Sequence, residues 1–167
     1  MKTRNVATYG MLIALAFILS YIESIIPIPV PIPGIKIGLA NLVVITALFT
    51  MGPKQAFVLS MIRILLVGFT FGNLSTMMFS FAGGMLSWLL MVAAKRWKRF
   101  SMTGVSILGG IGHNIGQILV AMWVINSSVL LYYLPFLIIS GLITGAVIGI
   151  VGALITANIK KLDFMKR

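Results

Sequence analysis

The chain has 167 residues, 60% of them hydrophobic and 9% charged, with a formal net charge of +11. A soluble domain of this size could not cover so much apolar surface with thirteen basic and two acidic side chains, so the composition points to a polytopic membrane protein. The apolar segments are continuous rather than alternating, which excludes a membrane β-barrel, and the lack of cysteine excludes disulfides, thiolate metal sites and cysteine nucleophiles.

Six apolar segments predict membrane helices at about 8–26, 37–51, 55–71, 75–94, 103–125 and 130–157. Together they make one all-α integral membrane domain over 1–167, a six-transmembrane-helix bundle. A span needs about 20 apolar residues; the second and third segments fall short of that, and the sixth is long enough to tilt or bend. The first run ends in Glu23 and a proline series, not in a small-residue cleavage site, so it is expected to stay as a span.

The first connection is unusual. Prolines alternate with Ile and Val from Pro27 to Pro33, followed by Gly34. Alternating proline cannot continue a helix and favours an extended path. The segment reads either as an apolar lid folded back over the bundle or as a stiff linker.

Small residues recur at helical spacing. Ala7, Gly10 and Ala14 share a face of the first span, Gly109, Gly112 and Gly116 a face of the fifth, and Gly141, Gly145, Gly149 and Ala153 a face of the sixth. Such spacing lets helix backbones approach closely in lipid. In the fifth and sixth spans it predicts packing within the bundle. In the first, the small face is also open to another membrane subunit.

Eleven basic residues fall at alternate ends of the six segments: Lys2 and Arg4, Lys54, the group Lys95, Arg96, Lys98 and Arg99, and Lys160, Lys161, Lys166 and Arg167. Lys36 is on an opposite connection and Arg63 lies inside a span. Short loops rich in Lys and Arg stay on the cytoplasmic side, so a multi-pass protein of the cell membrane with both termini cytoplasmic is expected. The positive charge is then a topology signal beside anionic lipid headgroups, not a nucleic-acid footprint.

Polar side chains within the spans are few. Arg63 is nine residues beyond Lys54, roughly 13 Å of helical rise, and so near mid-membrane. A charge there costs roughly 2.5–3.5 kcal/mol on insertion scales and should face the bundle interior or a wet cavity. Glu23 is the acid outside the C-terminal tail, and Arg63 reads as its ion-pair partner or as a ligand-binding group. His113, Asn114 and Gln117 share a face of the fifth span. Asn41 and Asn73 are placed to join them. The alternative for such residues is hydrogen bonding between helices. One His and two separated acids do not make a metal site, and no phosphate-binding Walker loop, Ser-His-Asp set or aspartate-rich prenyl diphosphate motif is present. No cofactor and no catalytic residue are expected.

The order of motifs carries a resemblance. It runs from Glu23 through Pro33-Gly34-Ile35-Lys36-Ile37-Gly38-Leu39-Ala40-Asn41 to Arg63 with Gly72-Asn73-Leu74. It continues through Ser80-Phe81-Ala82-Gly83-Gly84 and Gly112-His113-Asn114-Ile115-Gly116-Gln117 to Tyr132-Tyr133-Leu134-Pro135. In these pieces, over about residues 8–155, the chain resembles the S components of energy-coupling factor (ECF) transporters. The closer resemblance is to the Gx transporter family, also known as heptaprenyl diphosphate synthase component I. The S-component resemblance implies a six-helix subunit that binds a vitamin-like small molecule near the outer face. It also implies docking onto a transmembrane coupling subunit with its ATPases through small residues of the first helix, here Ala7, Gly10 and Ala14. The substrate-binding residues would be Arg63, His113, Asn114, Gln117, Asn41, Asn73, Glu23 and Lys36. The alternative is an accessory membrane component for polyprenyl diphosphate or isoprenoid quinone synthesis.

Overall fold

The computed structural model describes residues 3–26 and 38–165; Lys36 and the proline-rich connection lie outside them. The described chain is helical: α1 (Thr3–Ile25), α2 (Leu39–Thr50), α3 (Pro53–Thr70), α4 (Leu74–Arg96), α5 (Met102–Ile125) and α6 (Leu134–Met165), with a 3-10 turn at Ser128–Tyr133 before α6. Six helices are the number expected. The last differs in its limits, starting after the 3-10 turn and running to Met165.

Local chemistry sets several boundaries. Pro53 opens α3, where a missing N–H costs nothing. Asn73 closes a reciprocal capping box with Thr76 at the start of α4. Ser101 caps α5 by accepting from the Gly104 N–H. Asn126 ends α5 with φ 52°, a left-handed conformation that Asn tolerates.

Five of the helices are long and apolar enough to cross a membrane, and α2 is not. Its 12 residues rise about 18 Å, against roughly 30 Å of hydrocarbon. Its surroundings explain how so short a helix is accommodated. It packs against α1, α3, α5 and α6, and every residue from Val43 to Leu48 is buried. The segment is apolar all round because it meets protein all round. Leu48, Val44 and Ile45 form the centre of the core with Leu59, Met91 and Val105.

Glycines set the spacing of α4, α5 and α6. A Cβ on Gly145 would lie 2.7 Å from the Ile107 Cα, and one on Gly149 would lie 2.6 Å from the Thr103 Cα. Gly141 meets the backbone of Gly110 in the same way. Numbers rise along α6 as they fall along α5, so the two helices run antiparallel in near backbone contact. On its other side α5 meets α4: Gly116 against the Ala82 carbonyl, Gly109 against Met91, and Gly112 against Leu90. The expected packing faces of α5 and α6 are therefore used inside the bundle.

The end of the bundle that carries Lys54, Lys95 and Arg96 is tied together by side chains. Lys95 Nζ donates to the Leu48 carbonyl at 2.6 Å and stands 4.9 Å from the centre of the Phe49 ring. It satisfies a carbonyl at the C-terminus of α2 where a cation is favoured. Trp88 Nε1 donates to the Pro53 carbonyl and Tyr9 Oη to the Gln55 carbonyl. Trp97 is exposed at this end and Trp123 and Tyr132 at the other, the two levels at which aromatic side chains meet lipid headgroups.

Candidate functional site

A cavity of about 450 Å³ lies among all six helices. Its lining includes the C-terminal parts of α1 and α3 and the N-terminal parts of α2 and α4, the half of the bundle away from the basic end, and reaches as deep as Ser106 on α5. The volume is within the range of small-molecule sites. Ile64, Val67, Phe71, Met77 and Ile148 supply apolar wall. The Phe71 ring also packs on α1, with centroids 5.6 Å from Phe17 and 5.5 Å from Tyr21.

Each helix contributes polar groups. From α1 come Ser20, Glu23 and Ser24, from α2 Asn41, from α3 Arg63, and from α4 Thr76 and Ser80. From α5 come Ser106, His113 and Asn114, and from α6 Thr144. The arginine and the glutamate carry the charge. Glu23 Oε1 accepts the backbone N–H of Gly38, so this carboxylate joins the end of α1 to the start of α2. Gly38 adopts φ 77°, a conformation that glycine takes without strain.

Arg63 and Glu23 line the same cavity. The Arg63 Nε is buried and has no hydrogen-bond partner among the described residues. No salt bridge among them joins Arg63 to Glu23, so the internal pair, one of the two readings of Arg63, is not closed. A buried guanidinium N–H left unmade is costly, and such groups are usually satisfied by protein, water or ligand.

The expected site residues divide into groups. Glu23, Asn41, Arg63, His113 and Asn114 line the cavity together. Asn114 is also structural: its Nδ2 donates to the Leu137 carbonyl at 2.6 Å, joining α5 to α6. Gln117 is not in the lining. It faces α4, where its Cγ would lie 2.8 Å from a Cβ on Gly83. Asn73 is exposed and occupied by its helix cap, and it too is outside the lining. Lys36 lies outside the described residues.

Sequence reasoning missed the hydroxyls Ser20, Ser24, Thr76, Ser80, Ser106 and Thr144. A usable signal exists: Ser20, Glu23 and Ser24 fall at i, i+3, i+4 on α1, and Thr76 and Ser80 at i, i+4 on α4. Among the described residues no group of three or more His, Cys, Asp or Glu could hold a metal ion.

Outside the cavity, Ala7, Gly10 and Ala14 are all exposed along α1. A Cβ on Gly10 would meet nothing within 4 Å. Unlike the glycines of α5 and α6, this small face has no partner helix among the described residues.

Comparison with solved structures finds the S component of a bacterial ECF transporter at 25% sequence identity, with a TM-score of 0.67 and complete coverage of both chains. No curated protein matches the sequence significantly. The fold is therefore that of an S component, a multi-pass membrane bundle. The sequence also matches the heptaprenyl diphosphate synthase component I family over residues 12–155. The chain belongs to that family.

Proposed function

We propose that this chain is the substrate-capturing membrane subunit of an ECF-type importer for a small molecule bearing a negative group. The observation that carries the reading is the cavity itself, with a buried, unpartnered Arg63 Nε in the half of the bundle away from the basic end. With the basic end in the cytoplasm, as the distribution of Lys and Arg favours, that half faces the outside, where a captured nutrient arrives. A chain of this size has no nucleotide-binding motif of its own. Active uptake then needs a transmembrane coupling subunit and ATPases, and the unpartnered small face of α1 suits a close helix–helix contact with the former.

In this reading Arg63 meets the negative group and Asn41, His113 and Asn114 orient the rest. Arg63→Gln keeps a hydrogen-bonding side chain but removes the charge. It should leave a folded protein that no longer retains a bound molecule, whereas a structural role predicts loss of the fold. Native mass spectrometry of gently extracted wild-type and Arg63→Gln protein compares what each retains. A ligand retained equally by both would count against the site.

The name of the family favours a second reading, an accessory subunit for polyprenyl diphosphate synthesis. A site for a lipid diphosphate made on the cytoplasmic side would suit the basic end, and the cavity is at the other. Co-extraction with a soluble prenyl synthase, and with no coupling subunit or ATPase, would favour this second role.

A further inference from the structure

We infer that the molecule held in the cavity is a zwitterion, its negative group on Arg63 and a protonated amine directed at Glu23 and the surrounding hydroxyl oxygens. The inference rests on the capture reading above and adds the second pole of the ligand.

Charge is the first argument. Arg63 and Glu23 line one cavity yet form no salt bridge among the described residues. A ligand that only carried negative charge would satisfy the guanidinium and be repelled by the carboxylate. The repulsion grows with each added charge, so a diphosphate fits worse than a carboxylate. A ligand with one pole of each sign completes the alternation guanidinium, anion, ammonium, carboxylate. Charged groups taken out of water need such pairing.

Hydrogen-bond polarity is the second argument and is independent of the first. Ser20 Oγ donates to the Ala16 carbonyl, Ser24 Oγ to the Tyr21 carbonyl, and Thr144 Oγ1 to the Ser140 carbonyl. Thr76 Oγ1 likewise donates to the Asn73 carbonyl. A hydroxyl has one proton and two lone pairs. With their protons committed to helix backbone, Ser20, Ser24 and Thr144 offer the cavity acceptors. Asn114 has one of its two amide protons committed to Leu137 and keeps its carbonyl oxygen as an acceptor beside the second N–H. The lining thus offers these acceptors on α1, α5 and α6 and a strong cationic donor on α3, while Asn41, Ser80 and Ser106 can donate or accept. A ligand rich only in acceptors would leave these oxygens unpaired. An ammonium, with three donors and no acceptor, matches them.

The test uses the small-molecule filtrate of yeast extract, divided by sequential cation and anion exchange into four pools. These hold molecules with an acid and an amine, an acid only, an amine only, or neither. Farnesyl diphosphate is a fifth probe. Each is added to detergent-solubilised wild-type, Arg63→Gln and Glu23→Gln protein, and thermal unfolding is recorded. Gln at position 23 can still accept the Gly38 N–H, so the fold is expected to survive that change. The expected result is a rise in wild-type unfolding temperature with the acid-plus-amine pool alone, lost in both variants. Stabilisation of wild type by the acid-only pool or by farnesyl diphosphate would overturn the zwitterion assignment. So would an undiminished shift in Glu23→Gln. Stabilisation of wild type by no probe would instead overturn capture itself.

Discussion

Replacing Gly149 by Ala adds one methyl group at the contact of α6 with α5. That methyl carbon would lie 2.6 Å from the Thr103 Cα, 2.9 Å from the Ser106 Cβ and 3.2 Å from the Thr103 carbonyl oxygen. Two of these atoms are backbone, which has no rotamer through which to give way. Ordinary carbon contacts begin near 3.5–4 Å, so relief requires the helices to part by about 1 Å. A gap of that size forfeits about a quarter to a half of the dispersion energy of each atom pair it opens, and the neighbouring contacts at Gly141 and Gly145 share the same interface. Overpacking of this kind costs about 1–3 kcal/mol, and the rigid backbone argues for about 2–3. On the heat-unfolding scale of a chain this long, about 2–4 °C per kcal/mol, unfolding should move down by roughly 4–12 °C. The control is Gly10→Ala, whose methyl would meet nothing within 4 Å and whose helix propensity improves. It should unfold between the wild-type temperature and about 4 °C above it. The assay is tryptophan fluorescence during heating in detergent, read from Trp88, Trp97 and Trp123. Equal behaviour of the two alanine variants would refute the claim that close backbone approach holds α5 to α6.

Ala14→Leu should purify and unfold like wild type but recover less coupling subunit in a co-extraction, because its site is exposed on α1; normal recovery would reject the docking face. Ser128→Cys and Arg99→Cys, in a chain without other cysteines, should label from opposite sides of the membrane, and labelling of both from outside would end the proposed topology. Asn114→Ala removes the bond from α5 to the Leu137 carbonyl, so chemical or thermal unfolding should show a loss of about 1 kcal/mol, near the range for polar contacts between membrane helices. A gain in stability would mean the bond is not formed.

The helices and their order were legible because membrane spans are long, apolar and bounded by basic residues, prolines and caps. The glycine faces were legible because close approach in lipid demands small residues at helical spacing. Three features were not. The 12-residue α2 looks like a short span in sequence, since burial in protein and exposure to lipid favour the same residues; only its length hinted at the difference. Asn73 and Asn114 carry amides that suit ligand binding, capping and interhelical bonding equally, and their partners are set by tertiary geometry. The cavity hydroxyls stayed hidden because a Ser or Thr bonded to a preceding carbonyl is tolerated on any face of a helix. Arg63 was the exception: a charge so deep had to face inward, and it lines the cavity.

The shortness of α2 has a consequence for selectivity. An 18 Å rod falls short of about 30 Å of hydrocarbon by roughly two helical turns, and the cavity lies at its N-terminal end, where Gly38 and Asn41 are in the lining. In the capture reading, the depth of the site is set by where α2 begins, while the other five helices supply the rest of its lining. An insertion of three or four residues at the start of α2 would raise the floor by one turn, about 5.4 Å, and a deletion would lower it. In the capture reading, the length of molecule bound is then expected to follow the position of one helix start.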